Sequence, residues 1–210
     1  SAGRLNQRGC TMTIEPNWNA IERHIHLLTK PWIENELSAM LELRCLQHGG
    51  GPRCHYVDPT DEDLLEDAIT KVFDLNQAGW NAYICVNPIC NSHAGPAKDA
   101  AILGAYFAFA DADDGKASKQ LLASSVPPDF YVQTGTIPTQ RLHAYWRVDG
   151  IPDLDNWRQM QKHLIAKFDS DDAICNPSRI MRLAGTVAYP SVVKKQRGYV
   201  PEITLLKEDF

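Results

Sequence analysis

The residues that invite chemistry begin with Asp111-Ala112-Asp113, at the end of the apolar run Tyr106–Ala110. Residues two apart on a strand face the same side at roughly 7 Å, so the two carboxylates converge. Like charges that close are unfavourable without a cation between them. A Mg²⁺ or Mn²⁺ ion, held by hard oxygen ligands with room for substrate phosphates, resolves the conflict. The plainer reading is a strand that runs into an acidic turn at Asp114-Gly115. A second signal is His143, which shares a strand face with Arg141 in the run Arg141–Trp146 and so suits a phosphate site. A lone strand histidine is otherwise structural. The third signal is Asp171-Asp172 followed by Arg179 and Arg182. Three apart on a helical turn, the arginines would point the same way and clamp a polyphosphate. The bland counterpart is an acidic helix start with a solvated basic end, which the helix dipole favours anyway.

Two other constellations carry less. His24-Ile25-His26 matches the His-hydrophobic-His of rolling-circle initiators, but Ile21, Ile25 and Leu28 place it on a helix, where the histidines diverge by roughly 200°. Cys45, His48, Cys54 and His55, and likewise Cys85, Cys90 and His93, could bind zinc, but neither spacing is that of a finger or ribbon.

The elements that must position these groups follow from hydrophobic period. Ile21, Ile25, Leu28 and then Ile33, Leu37, Met40 and Leu41 fall at helical spacings interrupted by Pro31, which predicts two short helices. Leu41–Leu46 reads as a strand ended by Gly49-Gly50-Gly51-Pro52. Thr60–Asp63 is a capping-box start for a helix with the stripe Leu65, Ile69, Val72 and Phe73, ending at Gly79. Trp80–Val86, Ala105–Asp113 and Phe130–Thr134 read as strands. Over Arg141–Val148 the alternation is strict, with Arg141, His143, Tyr145 and Arg147 on one face and Leu142, Ala144, Trp146 and Val148 on the other. Leu154, Trp157, Leu164, Ile165 and Phe168 make a further helix introduced by Pro152-Asp153. The interleaving predicts an α+β fold with a sheet covered on one face by helices.

Composition sets the outer bounds. A chain of 210 residues with 44% hydrophobic and 22% charged residues can bury a real core. No apolar run approaches the roughly 20 residues that span a bilayer, and no secretory signal is visible. Ser1-Ala2-Gly3 reads as a cloning scar, and residues 1–19 as a loose arm. Six cysteines without a framework spacing read as cytosolic thiols. The net charge of −5 argues against bulk phosphate-backbone binding but leaves room for a local basic groove beside a cation-holding carboxylate site.

In order and spacing the three signals combine. A strand alternating hydrophobic residues with Asp is followed by a strand with His before Tyr-Trp. An acid then stands eight residues before Arg179 and eleven before Arg182, which runs into Leu183-Ala184-Gly185-Thr186. This pattern resembles the archaeo-eukaryotic primase superfamily, and most closely the primase-polymerases of plasmids, phages and integrated elements. Tyr83–Pro88, Gln133–Pro138 and Lys194–Tyr199 add to the likeness, which covers roughly residues 41–205. The resemblance implies an RRM-like catalytic sheet (residues 101–210) beside an N-terminal α/β lobe (20–100), with the active site in the cleft between them. It places metal-binding acids at Asp111, Asp113 and Asp171, nucleotide contacts at His143 and Arg179, and two Mg²⁺ or Mn²⁺ ions among them. Asp171 rather than Asp172 is eight residues before Arg179. Arg141 stands where the family often has Ser and is expected to take over a phosphate contact, with Arg182 as a further nucleotide ligand. Ala184 replaces the usual Pro of the turn.

The expected activity is template-directed nucleotidyl transfer, as DNA primase or polymerase. The expected partners are single-stranded DNA template and primer, ribo- or deoxynucleoside triphosphates, and a C-terminal helicase outside this chain, with no membrane. The expected location is the cytoplasm, at the nucleoid. Two rival functions use the same residues. A non-catalytic single-strand-binding module would stack bases on Phe109, Tyr145 or Trp146, and a metal nuclease would also need clustered acids.

Overall fold

A computed structural model of the chain describes residues 14–170 and 174–208. Helix α1 spans Trp18–Glu34, with the Asn17 side chain accepting from the Ala20 N–H at its start. It is one helix, not two. Pro31 sits inside it and is buried, and Ile21, Ile25, Leu28 and Trp32 are at most 1% exposed. That burial outweighs the roughly 3 kcal/mol that an interior proline costs. Leu37 and Met40 lie beyond its end, so their helical spacing with Ile33 is coincidental.

Strands β1 (Leu41–Leu46) and β2 (Arg53–Val57) form an antiparallel hairpin across the glycine run. Helix α2 spans Glu62–Gln77, and its cap is Asp61, whose carboxylate accepts from the Leu64 N–H at 3.0 Å. Strand β3 (Asn81–Cys85) follows. Strand β4 (Ala105–Ala112) leads into helix α3 (Gly115–Leu122), which Asp114 caps. The acidic turn expected at Asp114-Gly115 is thus a helix start. Strands β5 (Phe130–Gly135) and β6 (Arg141–Ile151), helix α4 (Leu154–Phe168) and strand β7 (Ile180–Arg182) come next. Strand β8 (Val187–Ala188), helix α5 (Val192–Gln196), and strands β9 (Glu202–Ile203) and β10 (Leu205–Lys207) complete the order.

The fold is mixed α+β with antiparallel sheets. One sheet has the order β2-β1-β3-β7, the other β10-β5-β6-β4, and β8 pairs with β9 alone. Strand β7 thus returns from the C-terminal half to complete the sheet begun by β1–β3. In the second sheet the small side of β4 and β6, Ala110, Ala112, Leu142 and Ala144, meets α3 and α4 through Ala117, Leu121 and Phe168. Its other side carries Phe107, Phe130 and Tyr145, whose rings pack together, and His24 of α1 meets the last two edge-on. Strand β4 is an edge strand, and α4 runs along it. The Gln161 side chain both accepts from the Phe109 N–H and donates to the Phe109 carbonyl, and the Trp157 indole donates to the Phe107 carbonyl at 2.9 Å. Among the described residues no helix is long and apolar enough to cross a membrane.

Candidate active site

Strict alternation along β6 puts Arg141, His143 and Tyr145 on the side away from α3 and α4, as its sequence requires. Antiparallel register sets Asp111 of β4 directly opposite His143. Asp111, Asp113, Arg141, His143, Arg179 and Arg182 line one cavity of about 330 Å³, so the described residues expected at the nucleotidyl-transfer site come together. Asp111 and Asp113 also border a neighbouring cavity of about 490 Å³, beside Asp114, Asp169 and Ser170. The two carboxylates stand where the cavities meet. Asp171 and Asp172 lie outside the described residues.

His143 is 7% exposed, and its protonation state follows from its partners. Nδ1 accepts from the Arg182 backbone N–H at 3.2 Å, so the proton of the neutral ring is on Nε2, which faces Asp111 Oδ1 at 3.5 Å. Burial, with Arg182, His24 and Lys194 adding repulsion, lowers its pKa to about 3. The ring is therefore a neutral Nε2–H donor at ordinary pH.

The arginines differ in what they already hold. Arg182 Nη1 donates to Asn81 Oδ1 at 2.6 Å and Nη2 to the Tyr83 hydroxyl at 3.1 Å, with its guanidinium 4.9 Å from the Tyr83 ring centre. Arg141 donates to the carbonyls of Ile137 and Thr139 and to Glu202 Oε2, and lies 4.4 Å from the Tyr199 ring centre. Burial alone would raise the Glu202 pKa, but hydrogen bonds from Thr136 and Ile137 and the Arg141 charge hold it below the usual carboxylate value. Arg179 and Arg182 do not sit on a helical turn. Arg182 ends β7, and Arg179 closes the loop before it, its N–H donating to the Asn176 carbonyl at 3.1 Å. Two buttresses that sequence reasoning missed hold that loop. Asp99 Oδ1 accepts from the Ser178 N–H and hydroxyl at 3.1 and 2.6 Å, and the buried Asn87 amide donates to the Pro177 carbonyl at 2.9 Å. Nothing local marks Asp99, because its partner is 79 residues away.

Other candidates separate from the site. His24 is buried and His26 exposed on α1, as two faces of a helix demand. Among the described residues no three His, Cys, Asp or Glu side chains gather to hold a metal, which includes both cysteine–histidine sets. Phe109 and Tyr145 are fully buried, and the Trp146 ring lies 5.4 Å from that of Phe168 at 13° between planes. Phe109 and Tyr145 therefore offer no open face for a base. As a donor set, Asp111 and Asp113 supply hard oxygens beside a neutral imidazole N–H and arginines, which fits a divalent cation that carries a phosphate ligand.

No family model matches the chain, and no curated protein matches it. Among solved structures it is similar to the AEP domain of the cyanophage S-2L primase-polymerase, at TM-score 0.60 and 26% identity over 92% of this chain and 90% of that one. It is also similar to primase RepB′, at TM-score 0.58 and 16% identity over 90% of this chain and 56% of that one. The catalytic domain of primase RepB′ in complex with initiator DNA gives 0.56 and 17%, over 90% and 85%. The two RepB′ structures share the fold with this chain. The neighbours agree with the resemblance read from the motifs.

Proposed function

We propose that this chain, whose fold is that of the primase-polymerases of the archaeo-eukaryotic primase superfamily, is a template-directed nucleotidyltransferase serving replication of a plasmid, phage or integrated element. The observation that carries the reading is Asp111 opposite His143 in one cavity with Asp113, Arg179 and Arg182. The run β4-α3-β5-β6-α4 supports an RRM-like catalytic lobe, and the sheet β2-β1-β3-β7 the accompanying α/β lobe, which takes in β7 from beyond residues 20–100.

Asp111 and Asp113, with Asp171, would hold two Mg²⁺ or Mn²⁺ ions. Bound there, the ions lower the pKa of the primer 3′-hydroxyl and neutralise the triphosphate and leaving pyrophosphate. Asp171 and Asp172 lie outside the described residues, and the choice of Asp171 rests on its spacing, eight residues before Arg179. The protein's own part is positioning and charge. The His143 Nε2–H donates to a phosphate oxygen, and the Arg182 backbone N–H fixes that tautomer. Arg179 contacts the triphosphate, and Arg182 and Arg141 extend the basic wall of the cavity while keeping their protein partners. Template and primer are single-stranded DNA, a C-terminal helicase acts on the same template, and the setting is the cytoplasm at the nucleoid.

The test is incubation with Mn²⁺, labelled nucleotides and a primed single-stranded template. Synthesis by the natural chain, its loss in Asp111→Ala and in Asp113→Ala, and its loss in Asp171→Asn but not Asp172→Asn are expected. Retention of DNA without synthesis would leave a binding module, and degradation a nuclease. Substantial extension by either Ala variant removes the metal-ligand assignment.

A further inference from the structure

Residues 189–200 form an arm at the rim of the cavity, and its composition is unlike that of the rest of the chain. It holds Lys194, Lys195 and Arg197 and no acid, in a protein of net charge −5. Helix α5, at its centre, buries none of its residues. Val192 and Val193 are 59% and 56% exposed, and Val200 is 42% exposed. Isolated surface valines are ordinary, but three within nine residues beside three cations are not. Among the described residues Lys195 and Arg197 form no ion pair with a carboxylate.

The arm is nonetheless well held at both ends. Tyr189 donates its N–H to Asn81 Oδ1 at 2.8 Å and its hydroxyl to the Asn76 carbonyl at 2.9 Å. Tyr199, at the other end, lies on the Arg141 guanidinium. The helix closes at Gly198, whose φ of +86° lets its N–H reach the Lys195 carbonyl at 3.0 Å. Pro190, Lys194, Tyr199 and Val200 face the cavity, so the arm is part of its wall. On a helical turn Val192 neighbours Lys195, and Val193 neighbours Arg197 in the residue just past it. Each apolar side chain therefore has a cation one turn away, and none of these four residues is among those that line the cavity.

We infer that this arm is the surface that receives single-stranded DNA as it enters the cleft, with Lys195 and Arg197 on its phosphates and Val192 and Val193 against its sugars or bases. The inference rests on the proposed function and assigns the template side of that site. Lys195 and Arg197, in no ion pair among the described residues, present their charges without first breaking one. An apolar contact one turn from each cation suits a polymer that alternates phosphate with ring. A single strand fits the charge and sets a ring beside each phosphate at a fixed repeat, which an acidic protein surface does not.

The experiment is fluorescence anisotropy of a labelled single-stranded oligonucleotide over a salt series, with the natural chain and with Lys195→Glu/Arg197→Glu. Each phosphate contact on a single strand contributes about 0.7 to the slope of log affinity against log salt, so the double variant should lose about 1.4 in slope. Its affinity should fall at least about tenfold, while calorimetric binding of nucleotide with Mn²⁺ is retained. Val192→Ser/Val193→Ser should weaken binding several-fold at unchanged slope. Equal slopes and affinities for natural chain and charge variant overturn the inference, as does failure of the natural chain to bind the oligonucleotide. A natural chain that binds through the arm but incorporates no nucleotide leaves the arm assigned and sinks the polymerase reading instead.

Discussion

Mild acid should weaken this fold through one buried histidine of α1. His24 is wholly buried edge-on against the stacked Phe130 and Tyr145 rings, with ring centres 5.8 and 5.7 Å away, and its Nδ1 accepts from the Ala184 N–H at 3.1 Å. Burial alone lowers its pKa from 6.5 to about 3. A depressed folded pKa stabilises fully above the unfolded value and loses that contribution as pH falls, here from 6.5 down to about 3. Between about pH 7 and pH 5 the unfolded state gains most of a proton that the folded state refuses, a loss of about 2 kcal/mol. Unfolded carboxylates titrate mainly below that window. His143, whose folded pKa is also about 3, and His55, lowered by burial, push the same way, so a variant is needed to isolate His24. His24→Asn keeps an acceptor for Ala184 and removes the titration. Urea unfolding followed by circular dichroism at both pH values should show the natural chain losing about 2 kcal/mol more than the variant. Equal losses in the two proteins would refute the argument, because the proton would then be taken up elsewhere.

Three further outcomes follow from the site. His143→Ala and Arg179→Ala should each weaken nucleotide binding about ten- to a hundredfold, the worth of one charge-assisted hydrogen bond, with DNA affinity little changed; parallel titrations with nucleotide and with oligonucleotide check this. Asp99→Ala should raise the KM for nucleotide roughly tenfold at nearly constant kcat, because it frees the loop that carries Arg179, and Asp99→Asn should restore part of the loss by keeping Oδ1 as acceptor. Gly185→Ala should cost at least about 2 kcal/mol in denaturant unfolding, since φ is +77° and the new Cβ would lie 2.5 Å from the Asn17 carbonyl oxygen at the start of α1.

What was legible depended on whether an element was long enough to show a period. Strand β6 has eleven residues and alternates cleanly, so its face with Arg141 and His143 could be read directly. Helices α2 and α4 showed their stripes for the same reason. Strand β7 has three residues, too few to reveal any period, and two arginines three apart invited a helical turn that does not form. Strand β2 is mostly polar, with only Val57 buried, and left no hydrophobic trace. Helix α3 was hidden because Asp114-Gly115 serves a helix cap as well as a turn. Pro31 misled in the other direction, since local cost was visible and the burial that overrides it was not. Of the site, the acids, His143 and the arginines were readable as types in order. The Arg182 N–H that sets the His143 tautomer and the Asp99 brace depend on contacts across the fold.

The Gln161 amide on the outer side of β4 has a bearing on assembly. An edge strand offers its open N–H and carbonyl groups to any other strand that can align with them. Here one glutamine imitates a neighbouring strand at Phe109, and Trp157 occupies the Phe107 carbonyl, so at these two residues the groups a foreign strand would use are taken. The same bonds tie a helix to a strand two residues before Asp111, where a slip of one residue would turn the acids to the wrong face of the sheet. The other edge of this sheet, at β10, is separated from the carboxylate-bearing β4 by β5 and β6.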